Sequence, residues 1–380
     1  MHTRRALITG GAGFIGINAA RRFLVDGWKV SIWDNCSRQG AEKNLEWLKS
    51  FGSFQFNQLD LRNEKAVTEA IQQERYDLVV HCAGQVAVTG SVSNPRNDME
   101  NNVIGTFNVL EAVRIFCPET LLIFASTNKV YGELSDAPVV ERNGRYEFAD
   151  RPDGISEAQP LDFHSPYGCS KGAADQYVRD YSRIYGMATT CFRQSCIYGY
   201  RQFGMEDQGW VAWFLIAKSL GRPITIYGDG KQSRDLLFID DLTEAFALAW
   251  ANKEKVRGQV YNIGGGPQNQ FSLRELVQWI ERQSGKPVET GYAEPRPGDQ
   301  RVFVSDVRKA FADFGWKPKC SVNQGITALN RWVNSNLDLF QNVIALPNAS
   351  ECSANQETPE LNVAMAARHQ ARQGQNRDRR

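Results

Sequence analysis

Short apolar runs recur along the first half of the chain, and a segment of helix length follows most of them. RALIT (5–9), WKVSIWD (28–34), FQFNQLD (54–60), DLVVHCA (77–83), LLIFAS (121–126) and ATTCFR (188–193) read as buried parallel strands. Strands covered on both faces show near-continuous apolar runs rather than strict alternation. Between them, FIGINAARRFLVDG and NNVIGTFNVLEAVRIF carry apolar residues at helical spacing. This alternation predicts an α/β fold with a doubly wound parallel sheet of Rossmann type. After about residue 200 the pattern loosens: ITIYG, LLFID and VYNIG mix with helices and with loops richer in Pro and charge. That predicts a smaller C-terminal lobe interleaved with the first domain. From about Asn336 periodicity is lost, and the polar stretches NASECSANQETPELN and RHQARQGQNRDRR predict a disordered tail.

Composition narrows the functional classes. Hydrophobic residues make up 42% of the chain, enough for a large core, and the net charge of +1 provides no field for nucleic acid or an anionic membrane. The eight Cys form no CxxC pair and no secretory leader is visible, which predicts reduced thiols and a cytoplasmic enzyme. No apolar run approaches the roughly 18 residues of a membrane span. The four His show no metal-ligand spacing, so no metal site is expected.

Chemistry enters at ITGGAGFIG, which follows the first strand and opens the first helix. Gly10, Gly13 and Gly16 permit a tight turn and close approach of backbone to a pyrophosphate, and the helix N-terminus adds N–H groups and a positive dipole end. Asp34, ending the second strand, is placed to hydrogen-bond the adenosine ribose and to repel a 2′-phosphate. The expected cofactor is therefore NAD, with the nearby Arg38 blurring the preference. Asp60 is expected at the adenine, and Ala83, Gly84 and Gln85, after the fourth strand, along the cofactor.

The stretch HSPYGCSKGAADQY places Tyr167 and Lys171 four residues apart. Ser165 as N-cap, Pro166 behind it and Gly186 as stop predict a helix that carries both on one face. A Lys ammonium beside a phenol lowers the phenol pKa from about 10, which would make Tyr167 a base near neutral pH. Cys169, between them, has no His at motif-defined spacing and reads as a small filler residue.

With the glycine loop upstream, YGCSK resembles the YxxxK pair of the short-chain dehydrogenase/reductase superfamily, and GxxGxxG resembles its extended branch of nucleotide-sugar epimerases and dehydratases. The resemblance covers roughly residues 4–335. Within that branch STNKVYG, LDFHSPYGCSKGAADQY, RQFGMEDQGWVAWF, GDGKQSRD, AGQVAVTGSVSNP and DQRVFVSD are most similar to the CDP-tyvelose 2-epimerase (CDP-paratose 2-epimerase) family.

The resemblance implies a mainly NAD-binding domain over 1–197, a mainly nucleotide-sugar-binding lobe over 198–335 with some segments returning to the first core, and a tail over 336–380. It makes Thr127, Tyr167 and Lys171 the catalytic residues. Thr127 holds the reacting sugar oxygen, Tyr167 takes its proton, and Lys171 lowers the Tyr167 pKa and binds the nicotinamide ribose. Phe14, Ile15, Asn35, Ser37, Leu61 and Ser126 are counted with the cofactor residues, as is Asn102, which holds active-site backbone. Arg234 and Arg296 are expected on the nucleotide phosphates, Gln208 and Trp210 at the nucleotide or sugar, and Arg301 as a further substrate residue. Trp210 and Trp213 also suit core packing. The dehydratases of this branch carry an Asp–Glu pair after the Thr. Here Asn128 and Lys129 stand there, which disfavours elimination of water; a surface cation without a role is the other reading of Lys129.

The implied reaction is inversion at C2 of a CDP-3,6-dideoxyhexose, in a homodimer or homotetramer involved in lipopolysaccharide O-antigen biosynthesis. The residues alone reach only an NAD-dependent enzyme of nucleotide sugars. A 4-epimerase of a UDP- or other NDP-hexose, a net dehydrogenase, and a non-catalytic NAD-binding or sensing protein stay open at this point.

Overall fold

The computed structural model describes residues 3–296 and 298–340. Seven strands form one sheet in the order Val260–Ile263, Thr189–Gln194, Leu121–Thr127, Leu78–His81, Arg5–Thr9, Lys29–Asp34, Gln55–Gln58, and every neighbouring pair is parallel. Helices Glu64–Gln72, Gly105–Phe116 and Ser165–Tyr185 pack together as one flanking layer, and Phe14–Val25 packs with Ile239–Ala251 in another. The doubly wound reading of the sequence is thus the observed architecture. Leu7, Val79, Leu122 and Phe124 of the sheet and Val109 and Val178 of the helices form one buried core.

Two strands depart from expectation. FQFNQ is the edge strand, and Gln55, Phe56 and Gln58 are exposed, because a neighbour lies on one side only. VYNIG, read as part of the smaller lobe, is the fully buried outermost strand at the other end of the main sheet. A four-residue apolar run looks the same in either place; only its partner, Thr189–Gln194, tells them apart.

Strand order reverses between Arg5–Thr9 and Leu78–His81, which is where an α/β sheet opens its ligand crevice. The second lobe stands beyond the carboxyl ends. Ser233–Phe238 is flanked there by antiparallel Gln270–Ser272 and by parallel Val302–Phe303 and Cys196–Tyr198. Ile224–Tyr227 pairs with Thr290–Ala293. Residues 336–340, counted with the tail, are part of the described fold, since Phe340 is fully buried against Phe203 and Trp332; the rest of the expected tail, 341–380, lies outside the described residues.

A buried ion pair ties the catalytic helix to the sheet. Asp175 accepts from Arg193 at 2.9 and 3.1 Å and from Ser126 Oγ at 2.8 Å. Arg193 donates to Tyr131 Oη at 3.1 Å, which donates to Asn262 at 2.7 Å. One helix and three strands therefore meet on two charged side chains that are almost wholly buried.

Candidate active site

The helix Ser165–Tyr185 starts on a strained residue. Ser165, expected as the N-cap, is the first residue of the helix after His164; it has φ +65°, and its hydroxyl accepts the Gly168 N–H at 3.2 Å. Gly186, at φ +66°, ends the helix as expected. Tyr167 and Lys171 are both buried on this helix. The Tyr167 hydroxyl is hydrogen-bonded to Thr127, which ends the third strand of the sheet order. Thr127 Oγ1 also accepts the Lys129 N–H at 3.2 Å and lies 3.4 Å from Asn128 Oδ1.

Lys171 does not lower the Tyr167 pKa as expected. Its ammonium donates to the Ala125 carbonyl at 2.7 Å and lies 4.1 Å above the Phe124 ring, and burial lowers its pKa to about 8. Tyr167 is not lowered but pushed up to about 12 by burial, with the bond to Thr127 and the charge of Arg38 opposing the rise and Asp98 adding to it. Sequence spacing put a cation near the phenol; packing spent that cation on a carbonyl and a ring face.

Asn102, in the π-turn Glu100–Ile104, braces the site from behind. Its Oδ1 accepts the Gln85 N–H at 2.8 Å, and its Nδ2 donates to Ser170 Oγ at 2.9 Å and to Asp98 Oδ1 at 3.2 Å. Ser170 Oγ donates in turn to Asp98. With its amide so committed, Asn102 supports the cofactor loop rather than reaching a ligand. Ser126, counted as a cofactor residue, is likewise turned away, its hydroxyl held by Asp175.

The glycine loop is closely packed. A Cβ on Gly10, which has φ +64°, would lie 2.6 Å from the Ala83 N, and one on Gly16 would lie 2.6 Å from the Gly11 Cα. Asp34 accepts from the Ala12 N–H at 3.0 Å and the Cys36 N–H at 2.8 Å, so it holds the loop as well as ending the second strand; burial raises its pKa. The helix Phe14–Val25 starts with no side-chain cap and no acidic residue in its first turn, leaving Gly13, Phe14, Ile15 and Gly16 around an N-terminus suited to phosphate. Gly84 is equally tight, since a Cβ there would meet Asn102 Oδ1 at 2.6 Å. This cradle fits a dinucleotide. Around it, Asp60 is paired with Arg62, which pulls its pKa to about 2, and lies 3.5 Å from Asn35 Nδ2. Ser37 is exposed on the turn that Asn35 caps, and Leu61 leans on the core.

Beside Thr127 opens a cavity of about 570 Å³ whose walls include Asn128, Lys129, Gln208, Trp210, Arg234 and Arg296. Four of these are expected substrate residues. Arg301 is not in the lining; its guanidinium lies over the Tyr146 ring at 4.1 Å. Arg38 donates to Gln208 Oε1 at 2.5 Å while its charge still acts on Asp34, joining the cofactor half to the cavity wall. Lys129 is no surface cation: it lines the cavity, and burial brings its pKa to about 8. Asn128 donates to Gln300 Oε1 at 3.1 Å, so neither it nor Lys129 offers a carboxyl group at the sugar. Cys169 is exposed and fills no gap. Asp299 and Tyr227, also in the wall, were missed by the sequence reading; PRPGDQR carries Asp299 between two arginines, and that spacing was the available signal. Among the described residues no cluster of three His, Cys, Asp or Glu is arranged to hold a metal, and no helix is long and apolar enough to cross a membrane.

Comparison with known proteins agrees with this geometry. Residues 6–264 match the NAD dependent epimerase/dehydratase family. The chain is 46% identical over 336 residues to a CDP-paratose 2-epimerase of Salmonella typhi, covering 87% of this chain and 99% of that one. It is 32% identical over 357 residues to a dTDP-glucose 4,6-dehydratase of Xanthomonas campestris, covering 89% and 95%. The crystal structure of a UDP-glucose 4-epimerase from Thermus thermophilus in complex with NAD superposes with a TM-score of 0.74 at 33% identity, over 87% of this chain and 99% of that one. The chain therefore belongs to the NAD-dependent epimerase/dehydratase family, and its cofactor is NAD.

Proposed function

We propose that this chain inverts C2 of a CDP-linked 3,6-dideoxyhexose, converting CDP-paratose to CDP-tyvelose. The observation that carries the reading is the 46% identity to a CDP-paratose 2-epimerase over nearly its whole length, against 32% for a 4,6-dehydratase relative and 33% for a 4-epimerase of known structure. Asn128 and Lys129 support it, because they stand where the 4,6-dehydratases that this chain resembles carry an Asp–Glu carboxyl pair.

NAD bound in the glycine cradle supplies the acceptor and donor of the electron pair at the sugar carbon, so the alcohol is oxidised and reduced again with no net redox change. Gly10, Gly13 and Gly16 with Phe14 and Ile15 would take its pyrophosphate, Asp34 its adenosine ribose, and Ala83, Gly84 and Gln85 its path across the switch point. Thr127 holds the reacting hydroxyl by hydrogen bond. Tyr167 receives the proton of that hydroxyl and returns it to the inverted product. Lys171 serves by position, fixed on Ala125 next to Phe124. Arg234, Arg296 and Gln208 anchor the nucleotide while the sugar turns, with Trp210 beside them. The division into an NAD-binding part over 1–197 and a sugar-binding part over 198–335 follows these roles, although Val260–Ile263 completes the sheet of the first part.

Purified protein incubated with CDP-paratose and no added cofactor is expected to form CDP-tyvelose without net NADH, read by proton NMR at C2 and by absorbance. Inversion at C4 of UDP-glucose with no action on CDP-paratose would replace this reading with that of a 4-epimerase; stoichiometric use of added cofactor would make it a dehydrogenase.

The active form is a homo-oligomer in this proposal, located in the cytoplasm where NAD and nucleotide sugars are made. On the helices Gly105–Phe116 and Ser165–Tyr185, Phe107, Ile115, Tyr177, Ile184 and Tyr185 are exposed, and Phe107 meets Tyr177 edge-on at 6.0 Å. Such an apolar pair of helices suits an isologous contact with a second copy. Phe107→Lys is expected to shift the sedimentation profile towards the monomer; a native protein that already sediments as a monomer would refute the assignment.

A further inference from the structure

Lys129 stands two residues after Thr127, on the turn Asn128–Tyr131, and its own N–H is spent on the Thr127 hydroxyl. Its side chain is only 19% exposed and turns into the cavity. The ammonium donates to the Gly298 carbonyl at 3.2 Å and lies 3.5 Å from Asp299 Oδ1. The same carboxylate oxygen receives Arg234 at 2.6 Å, and Arg296 adds its field. Arg296 is itself held by Asp207 at 3.2 Å and lies over the Tyr227 ring at 3.9 Å. Three cations of the cavity wall thus converge on one internal carboxylate.

That arrangement is an anion site with a weak resident. A carboxylate brings one charge and two oxygens, whereas a diphosphate brings more of both and outcompetes it for guanidinium and ammonium groups. The site also has a direction. Arg234 and Arg296 come from the second lobe, but Lys129 comes from the very turn that presents Thr127. A phosphate on Lys129 therefore sits close to the place where the sugar oxygen reacts.

We propose that Lys129 binds the sugar-side phosphate of the nucleotide diphosphate, displacing Asp299, and thereby presents to Thr127 and Tyr167 the carbon adjacent to the anomeric centre. The sugar-side phosphate is bonded through oxygen to the anomeric carbon. The C2 oxygen is on the neighbouring carbon, whereas the C4 oxygen is across the ring. An anchor on the Thr127 turn favours the first and disfavours the second. The inference rests on the C2 reading above and adds the residue that selects the carbon.

The test uses the full-length, NAD-loaded protein and titration calorimetry with CDP and with CMP, which lacks the sugar-side phosphate. Lys129→Met is expected to weaken CDP binding by about 10- to 100-fold, the size of one lost charge-assisted hydrogen bond, and CMP binding by less than about twofold. Lys129→Arg is expected to restore most of the CDP affinity, and NAD retained by both variants shows that the fold is intact. Unchanged CDP binding in Lys129→Met, or equal losses for CDP and CMP, overturns the assignment. UDP and UMP are titrated alongside. If the native protein prefers UDP, the CDP reading fails, while the UDP-to-UMP contrast still decides the role of Lys129.

Discussion

Tyr167→Phe is expected to lose turnover by about 10²- to 10⁴-fold, the range of a missing general acid–base group, while keeping bound NAD. The ring packs where it did, and only the hydroxyl that Thr127 holds is removed. The pH profile carries a second signature. Tyr167 must be deprotonated to accept the substrate proton, so activity falls as pH drops through its apparent pKa. In the structure burial raises that pKa, while the Thr127 hydrogen bond and the charge of Arg38 oppose the rise, as the positive nicotinamide of bound NAD would too. Thr127→Val removes the first of these restraints. Its acid limb is therefore expected to move to higher pH, with kcat reduced and NAD retained. A Tyr167→Phe enzyme with near-native kcat would leave the chain without its base and favour a different group. A native protein that binds NAD but turns over none of the CDP-, UDP- or dTDP-sugars would point to a sensing protein.

The largest effect on stability is expected at Arg193. Replacing it by Leu leaves Asp175 fully buried with Ser126 as its remaining side-chain donor besides the adjacent Gln176 amide. Breaking a buried pair by removing one partner costs about 3–5 kcal/mol, since a charge is left uncompensated in a medium of low polarity. The loss reaches the active site because Asp175 lies one turn beyond Lys171 on the catalytic helix, and Ser126 precedes Thr127. Urea unfolding of the NAD-loaded protein measures it. In the double variant Arg193→Leu/Asp175→Leu the orphan charge is gone, and part of the stability is expected to return. If Arg193→Leu costs no more than an exposed ion pair, ~1 kcal/mol, the network does not hold the helix on the sheet.

The chain order of apolar runs by itself determined the doubly wound sheet, because strands buried on both faces must be apolar along their length. Local turn chemistry determined the glycine loop, the helix that carries Tyr167 and Lys171, and its stop at Gly186. These are interactions within a few residues, and spacing along the chain encodes them directly. Motif resemblance reached the family and the C2 chemistry for the same reason, since STNKVYG and YGCSK keep their functional groups close in sequence.

Tertiary structure decided what spacing cannot encode. VYNIG joins the main sheet because Thr189–Gln194 lies beside it, with Ile263 opposite Gln194, 69 residues upstream. Lys171 fails to lower Tyr167 because Ala125 and Phe124, on a strand more than forty residues earlier, capture its ammonium. Arg38 joins Gln208, 170 residues away along the chain, and Arg301 leaves the cavity for Tyr146. Lys129 acquires its partners only when the 298–299 loop is folded over it. In each case the charge was legible in the sequence but its partner was not, because an ion's pKa and role depend on burial and on neighbours that only the folded chain brings within a few ångströms.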